Sequence, residues 1–238
     1  MAYANTFKRG ERKFLLDSAR YNEFLSLLEG KMKIDQYGRH TILNIYCDNK
    51  SAESIHKSIS KPVYKEKLRL RSYGVPDDDT QVFLEIKKKY KGVVYKRRAQ
   101  IDYKQAWEYL NGSGELCGSQ QAREIDYLKH RMKLEPYVFI GYDRIAMYGI
   151  EDPELRITFD TNIRYRYDDL DLRNGDAGKL LYKDKVYLME IKCAGALPIW
   201  LADILSKEHT YPLSFSKVGK AFSNNITERK NDICLQIL

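Results

Sequence analysis

No stretch of this 238-residue chain approaches the roughly 18 consecutive apolar residues that a membrane-crossing helix requires. The first ten residues, M-A-Y-A-N-T-F-K-R-G, hold no apolar core of a secretory leader. Cysteine is scarce: Cys47, Cys117, Cys193 and Cys234 stand far apart with no C-x-x-C pair, which argues against a zinc site and reads as reduced thiols in a cytoplasmic protein. Glycine-rich phosphate cradles are missing, since neither G-x-x-x-x-G-K-[ST] nor G-x-G-x-x-G occurs. The histidines, His40, His56, His130 and His209, have no ligand spacing, and no Ser/His/Asp triad is legible. Repeats and low-complexity segments are also lacking.

What is present is charge of one sign, on strands. The formal net charge is +8, with 43% hydrophobic and 31% charged residues, so the chain is globular and its partner is expected to be anionic. Nineteen tyrosines against eight phenylalanines suit strands with one wet face, because a phenol can reach water or a ligand. Alternation from Val63 to Asp102 predicts three consecutive strands. On the first, Lys65, Lys67, Arg69 and Arg71 share a face opposite Leu68 and Leu70. On the second, Glu85, Lys87 and Lys89 lie opposite Leu84 and Ile86; on the third, Lys96 and Arg98 share a face. Lysines on an exposed edge strand would explain one such pattern. Its recurrence on three neighbours calls for an anion, because like charges opposed across strands repel.

The rest of the chain reads as strands at Phe7–Leu15, Thr41–Asp48, Tyr137–Tyr148, Glu154–Thr161, Ile163–Tyr167 and Val186–Cys193. Helices are expected after Asp17, near Ser51–Ser58, after an Asp102/Gln105 capping box, at Ser119–Met132, at Leu197–Leu205 and from Ser214. The segment Asp168–Gly178 reads as a surface loop and the residues after Asn224 as a polar tail. The expected fold is α+β: about eight antiparallel strands curled into a barrel, flanked by short helices, as a single domain over 1–238 with its core at about 7–222.

Glu11 with Lys13, Glu85 with Lys87, and Glu190 with Lys192 repeat one spacing, carboxylate-x-ammonium, on three strands. Surface charge alternation is the plain reading. The functional one is that the acids hold a divalent cation while the lysines hold phosphate oxygens. Arg144 and Arg156 stand alone on strands, and a structural pair of Arg156 with Asp160 competes with a ligand role. Lys217 and Lys220 lie near a helix start, Lys220 reading as solvated. Glu11, Glu85 and Glu190 would repel a nucleic-acid backbone, so nucleic acid is not the expected partner.

E-R-K-F, R-L-R-S-Y-G, F-L-E-I-K, Y-K-R-R, Y-D-R, L-R-I-T-F-D, M-E-I-K and S-F-S-K follow one another along the chain. In this order they resemble the VTC domain, the polyphosphate polymerase domain of the vacuolar transporter chaperone complex, in the triphosphate tunnel metalloenzyme (CYTH-like) superfamily. The resemblance covers Phe7 to about Phe222. It implies an antiparallel barrel enclosing a basic tunnel, Mn²⁺ or Mg²⁺ as cofactor, and transfer of the γ-phosphoryl of ATP to polyphosphate. By motif match, Lys13, Arg69, Arg71, Lys87, Lys96, Arg144, Arg156 and Lys217 would bind triphosphate or polyphosphate, with Glu190 as metal ligand and Glu85 and Glu11 as weaker candidates. The strand faces add Lys67, Arg98 and Lys192. Two departures stand out: Arg9 occupies the first acidic position of the superfamily's E-x-E-x-K motif, and only Lys217 is present near S-x-K. Hydrolysis of inorganic triphosphate or a nucleotide, and binding of polyphosphate or inositol phosphates without catalysis, remain alternatives. A separate membrane partner is what likeness to a transporter-associated complex suggests.

Overall fold

The computed structural model describes residues 9–60, 62–91 and 93–236. Phe7 and Lys8, expected in the first strand, lie outside them. The strands are β1 (Arg9–Leu16), β2 (Met32–Asp48), β3 (Tyr64–Tyr73), β4 (Gln81–Tyr90), β5 (Val93–Asp102), β6 (Glu135–Gly149), β7 (Arg156–Arg166), β8 (Lys179–Leu180) and β9 (Tyr187–Ala194). The helices are α1 (Ser18–Leu28), α2 (Glu53–Ser60), α3 (Tyr103–Leu110), α4 (Gln120–Met132), α5 (Ile199–Lys207) and α6 (Lys217–Gln236). Hydrogen bonding orders the sheet β1-β9-β7-β6-β2-β3-β4-β5, with β8 beside β7. The expected antiparallel sheet of about eight strands with flanking helices is what forms, and its hydrogen-bonded path is open, not a ring. No helix among the described residues is long and apolar enough to cross a membrane.

The chain divides into two compact units. The first comprises 1–40, 143–162 and 182–215, and the second 41–142, 163–181 and 216–238. In the first unit, Asp17 caps α1 by accepting a 2.8 Å hydrogen bond from the Arg20 amide. The buried stripe Tyr21, Phe24 and Leu28 then packs with Phe14 and Leu16 of β1, Ile157 and Phe159 of β7, and Met189 and Ile191 of β9. Tyr21 stacks on Tyr187 at 3.7 Å. These apolar residues take alternate positions, so Glu11, Lys13, Thr158, Asp160, Glu190 and Lys192 occupy the other face.

The second unit repeats this logic with a separate core. Leu43, Ile45, Leu68, Leu70, Val82, Leu84 and Ile86 pack against α3 and α4, through Tyr103, Ala106, Ile125 and Leu128. Ser119 caps α4 through its hydroxyl, and Lys129, His130 and Arg131 lie in the last turn, where cations suit the helix dipole. Gly74, at φ +83°, makes the β3–β4 turn in a region that suits glycine.

Several expectations are revised. β2 begins at Met32, nine residues before the expected start at Thr41. Glu154–Thr161 and Ile163–Tyr167 form the single strand β7, which passes through a left-handed Asn162 at φ +50°. Asp102 precedes α3 without a side-chain cap bond; its carboxylate accepts instead from Gln81. The polar residues after Asn224 continue α6 to Gln236. Within the expected loop, Leu172–Asn174 form a 3-10 turn, and Arg166, 3.9 Å from the centre of the Phe139 ring, donates to the carbonyls of Asp169, Asp171, Gly175 and Ala177.

Candidate phosphate and metal site

In the second unit, antiparallel register turns the alternation of β2–β5 into rows of side chains on one face. Asn44 stands opposite Arg71, and Arg71 opposite Phe83. Tyr46, Arg69, Glu85 and Arg98 make the next row. Lys67, Lys87 and Lys96 make a third, and Lys65 with Lys89 a fourth. Across these rows β3–β5 carry eight cations and a single carboxylate, Glu85.

Glu85 is 1% exposed. Its Oε2 accepts from Arg69 Nε at 2.7 Å and Nη2 at 2.6 Å, and its Oε1 from Arg98 Nε at 2.8 Å and Lys96 Nζ at 2.7 Å. Arg71 Nε lies 3.8 Å from Oε2. A carboxylate offers about four lone-pair directions, and these N–H groups fill them. Glu85, expected as a weaker metal ligand, is thus the hub of a cation cluster. Burial alone would raise its pKa, yet Arg69, Arg71 and Lys96 outweigh burial and hold the carboxyl well below the usual range.

Asn44, Tyr46 and Tyr142 were not among the expected site residues. Asn44 Nδ2 donates to the Ile140 carbonyl at 3.0 Å, while its Oδ1 accepts from Arg71 Nε at 3.0 Å. Arg71 Nη2 donates to the Tyr142 hydroxyl at 3.1 Å, and Arg69 Nη1 to the Tyr46 hydroxyl at 3.2 Å. Each guanidinium is thus aimed by neutral groups as well as by Glu85. Burial pushes the Tyr46 phenol up, but Arg69, with Lys67 and Arg71, pulls it below its ordinary value. Lys217 lies over the Tyr142 ring at 4.4 Å, and Lys67 donates to Ser216 Oγ at 3.4 Å.

In the first unit the rows are Glu11–Lys192–Arg156 and Lys13–Glu190–Thr158. Lys13 Nζ lies 3.3 Å from both Glu11 Oε1 and Glu190 Oε1, and it donates to the Phe215 carbonyl at 3.2 Å. Lys192 Nζ and Arg144 Nη2 stand 3.8 and 3.9 Å from Glu190 Oε2. Asp160 belongs to Arg144, which grips it with two bonds of 2.6 and 2.8 Å. The considered Arg156–Asp160 pair therefore does not form. Arg156 is exposed, donates to the Pro153 carbonyl and lies 5.8 Å from the centre of the Tyr148 ring.

A family model described as the VTC domain matches residues 8–224. The chain belongs to the VTC domain family. No curated protein matches its sequence. Among solved structures, this VTC domain is similar to a candidate adenylate cyclase from Bacillus halodurans, at 12% identity and a TM-score of 0.53, covering 87% of this chain and 92% of that one. It also resembles a candidate adenylyl cyclase from Hippeastrum with a dominant triphosphatase activity, at 16% identity and a TM-score of 0.49, covering 89% and 94%. The first likeness supports the fold alone, an antiparallel sheet with flanking helices.

VTC and CYTH-like proteins generally use divalent metal ions. Among the described residues of this VTC domain, no group of three or more His, Cys, Asp or Glu side chains gathers as a ready metal cage, so the expected Glu11, Glu85 and Glu190 do not form one. Glu190 with Glu11 still fits a hard cation, because such ions bind through one or two carboxylates and take further oxygens from phosphate and water. Opposite Glu190 in the ladder, moreover, Thr158 Oγ1 is buried with no hydrogen-bond partner among the described residues.

Proposed function

We propose that this VTC domain is a metal-dependent polyphosphate polymerase that moves the γ-phosphoryl group of ATP onto a growing inorganic polyphosphate. The observation that carries the reading is the β3–β5 face, which holds eight cations and a single carboxylate. Its four rows, from Arg71 to Lys65, span about 20 Å at strand geometry, a length suited to a chain of many phosphates. Lys67, Lys87 and Lys96 set like charges opposite one another across three strands, an arrangement that a bound anion stabilises.

Arg69, Arg71 and Arg98 present planar forks that match phosphate oxygens, while Lys67, Lys87 and Lys96 supply point charges. Arg144, Lys13 and Lys192 bring positive charge beside Glu190, Lys217 adds an ammonium above Tyr142, and Arg156 contributes from an exposed position. A terminal polyphosphate oxygen attacks the γ-phosphorus, and one P–O bond forms. The bond from the γ-phosphorus to the bridging oxygen breaks, and its electron pair leaves with ADP. The acceptor oxygen is ionised at neutral pH, so positioning and charge neutralisation suffice without a strong base. Mn²⁺ or Mg²⁺ held by Glu190 and Glu11 would supply Lewis-acid neutralisation of phosphate charge. ATP, triphosphate and polyphosphate are the ligands of this reading. A cytoplasmic setting and a separate membrane partner belong to it too.

Hydrolysis of triphosphate is the second reading, since the same cations and the Glu190 carboxylate would serve with water as the acceptor. Incubation with ATP and Mn²⁺ separates the two. Polymer on a gel supports the polymerase, orthophosphate alone supports the triphosphatase, and unchanged ATP supports a binding protein.

A further inference from the structure

Thr158 is 8% exposed in the middle of β7, and its Oγ1 has no hydrogen-bond partner among the described residues. Buried hydroxyls normally find a partner, because burial removes water's hydrogen bonds and nothing replaces them. The strand does not require this hydroxyl, since valine would fill the same place in a β-strand. Alternation puts Thr158 on the face of Arg156 and Asp160, and its register partner across the ladder is Glu190. Directly opposed residues bring their Cβ atoms to about 5 Å, so the two side chains rise from neighbouring positions on one face. Asp160, the next acid along β7, is held by Arg144 through two hydrogen bonds. Lys13 Nζ, 3.3 Å from both Glu190 and Glu11, already places positive charge at this spot.

We infer that Thr158 Oγ1 is a direct ligand of the divalent cation, the neutral oxygen that completes the donor set of Glu190 and Glu11. The inference rests on the reading that Glu190 holds a cation. Hard cations accept neutral oxygens alongside carboxylates, and a hydroxyl that is dehydrated and unused by the protein needs no bond broken before it binds.

Mn²⁺ alone, titrated into the whole protein and followed by electron paramagnetic resonance, tests this with Thr158→Val, Thr158→Ser and Glu190→Gln. Glu190→Gln abolishes saturable binding, Thr158→Val weakens it about tenfold or more, and Thr158→Ser stays within about twofold of wild type. Without metal, Thr158→Val melts at or above the wild-type temperature, because it removes an unpaired buried group. Wild-type affinity in Thr158→Val, with binding lost in Glu190→Gln, overturns the inference and leaves the metal reading standing. Unchanged binding in Glu190→Gln overturns both. A clear fall in the metal-free melting temperature of Thr158→Val also overturns the inference, since the hydroxyl would then have a structural partner.

Discussion

Glu85 and Glu190 are both nearly buried carboxylates on charged sheet faces, each beside lysines and arginines, yet their surroundings differ in kind. Around Glu85, Arg69, Arg98 and Lys96 donate at 2.5 to 2.8 Å, on a face with eight cations to one acid. Around Glu190, Lys13, Lys192 and Arg144 stand at 3.3 to 3.9 Å. Glu11 and Asp160 bring that group to three acids against four cations, Arg156 included. The first arrangement spends its one acid on aiming guanidinium groups and leaves a strongly positive surface for phosphate. The second sets carboxylates against cations in nearly equal number, and it is where we propose the divalent ion binds. What separates the two acids is how closely these donors approach and how the charges around them balance, more than burial.

Substitutions should split along that line. Glu190→Gln lowers ATP turnover by about 10³-fold, several kcal/mol of transition-state stabilisation, while the urea midpoint stays close to wild type. Glu85→Ala strands Arg69, Arg71 and Arg98 beside one another and destabilises the fold by about 3–5 kcal/mol in urea unfolding. Tripolyphosphate should recover part of that loss, because it returns anionic charge to the same groups. Equal loss of stability in both variants would break the contrast.

Asn44→Ala sharpens it from the neutral side. It removes the bridge between the Ile140 carbonyl and Arg71 and is expected to cost about 1–3 kcal/mol, with weaker tripolyphosphate binding measured by calorimetry. The pH dependence follows from the depressed Glu85 carboxyl. A carboxyl lowered in the folded state stabilises above its unfolded value of about 4.3 and loses that contribution as pH falls further. The advantage of wild type over Glu85→Gln in urea should be steady from pH 7 to about 5 and shrink below about 4. Smallest of all, Arg156→Ala should change stability by no more than about 0.5 kcal/mol, because the guanidinium is exposed and its partners are a loop carbonyl and a ring.

Much of this was legible as alternation. Lys65 to Arg71 against Leu68 and Leu70 requires a charged and an apolar face however the strand is paired. The lysine row across β3–β5 was not legible, because register depends on which residues pair. Asn44 and Tyr46 lie in a run, Ile42 to Tyr46, that reads as largely buried; alternation with Leu43 and Ile45 was the available signal. Met32–His40 extends β2 through polar residues that carry no apolar pattern. Thr158 looks like any strand threonine until its hydroxyl is found without a partner. The role expected of Glu85 changed for the same reason, since spacing places a carboxylate on a face and cannot count the donors that converge on it.

The division of labour is tested most directly by the Mn²⁺-induced rise in melting temperature of Glu85→Gln and Glu190→Gln measured side by side. Glu85→Gln should start from a lower metal-free melting temperature and keep the full rise, whereas Glu190→Gln should start near wild type and show none. A rise lost in Glu85→Gln and kept in Glu190→Gln would contradict the assignment of the metal to Glu190 and of the cation cluster to Glu85.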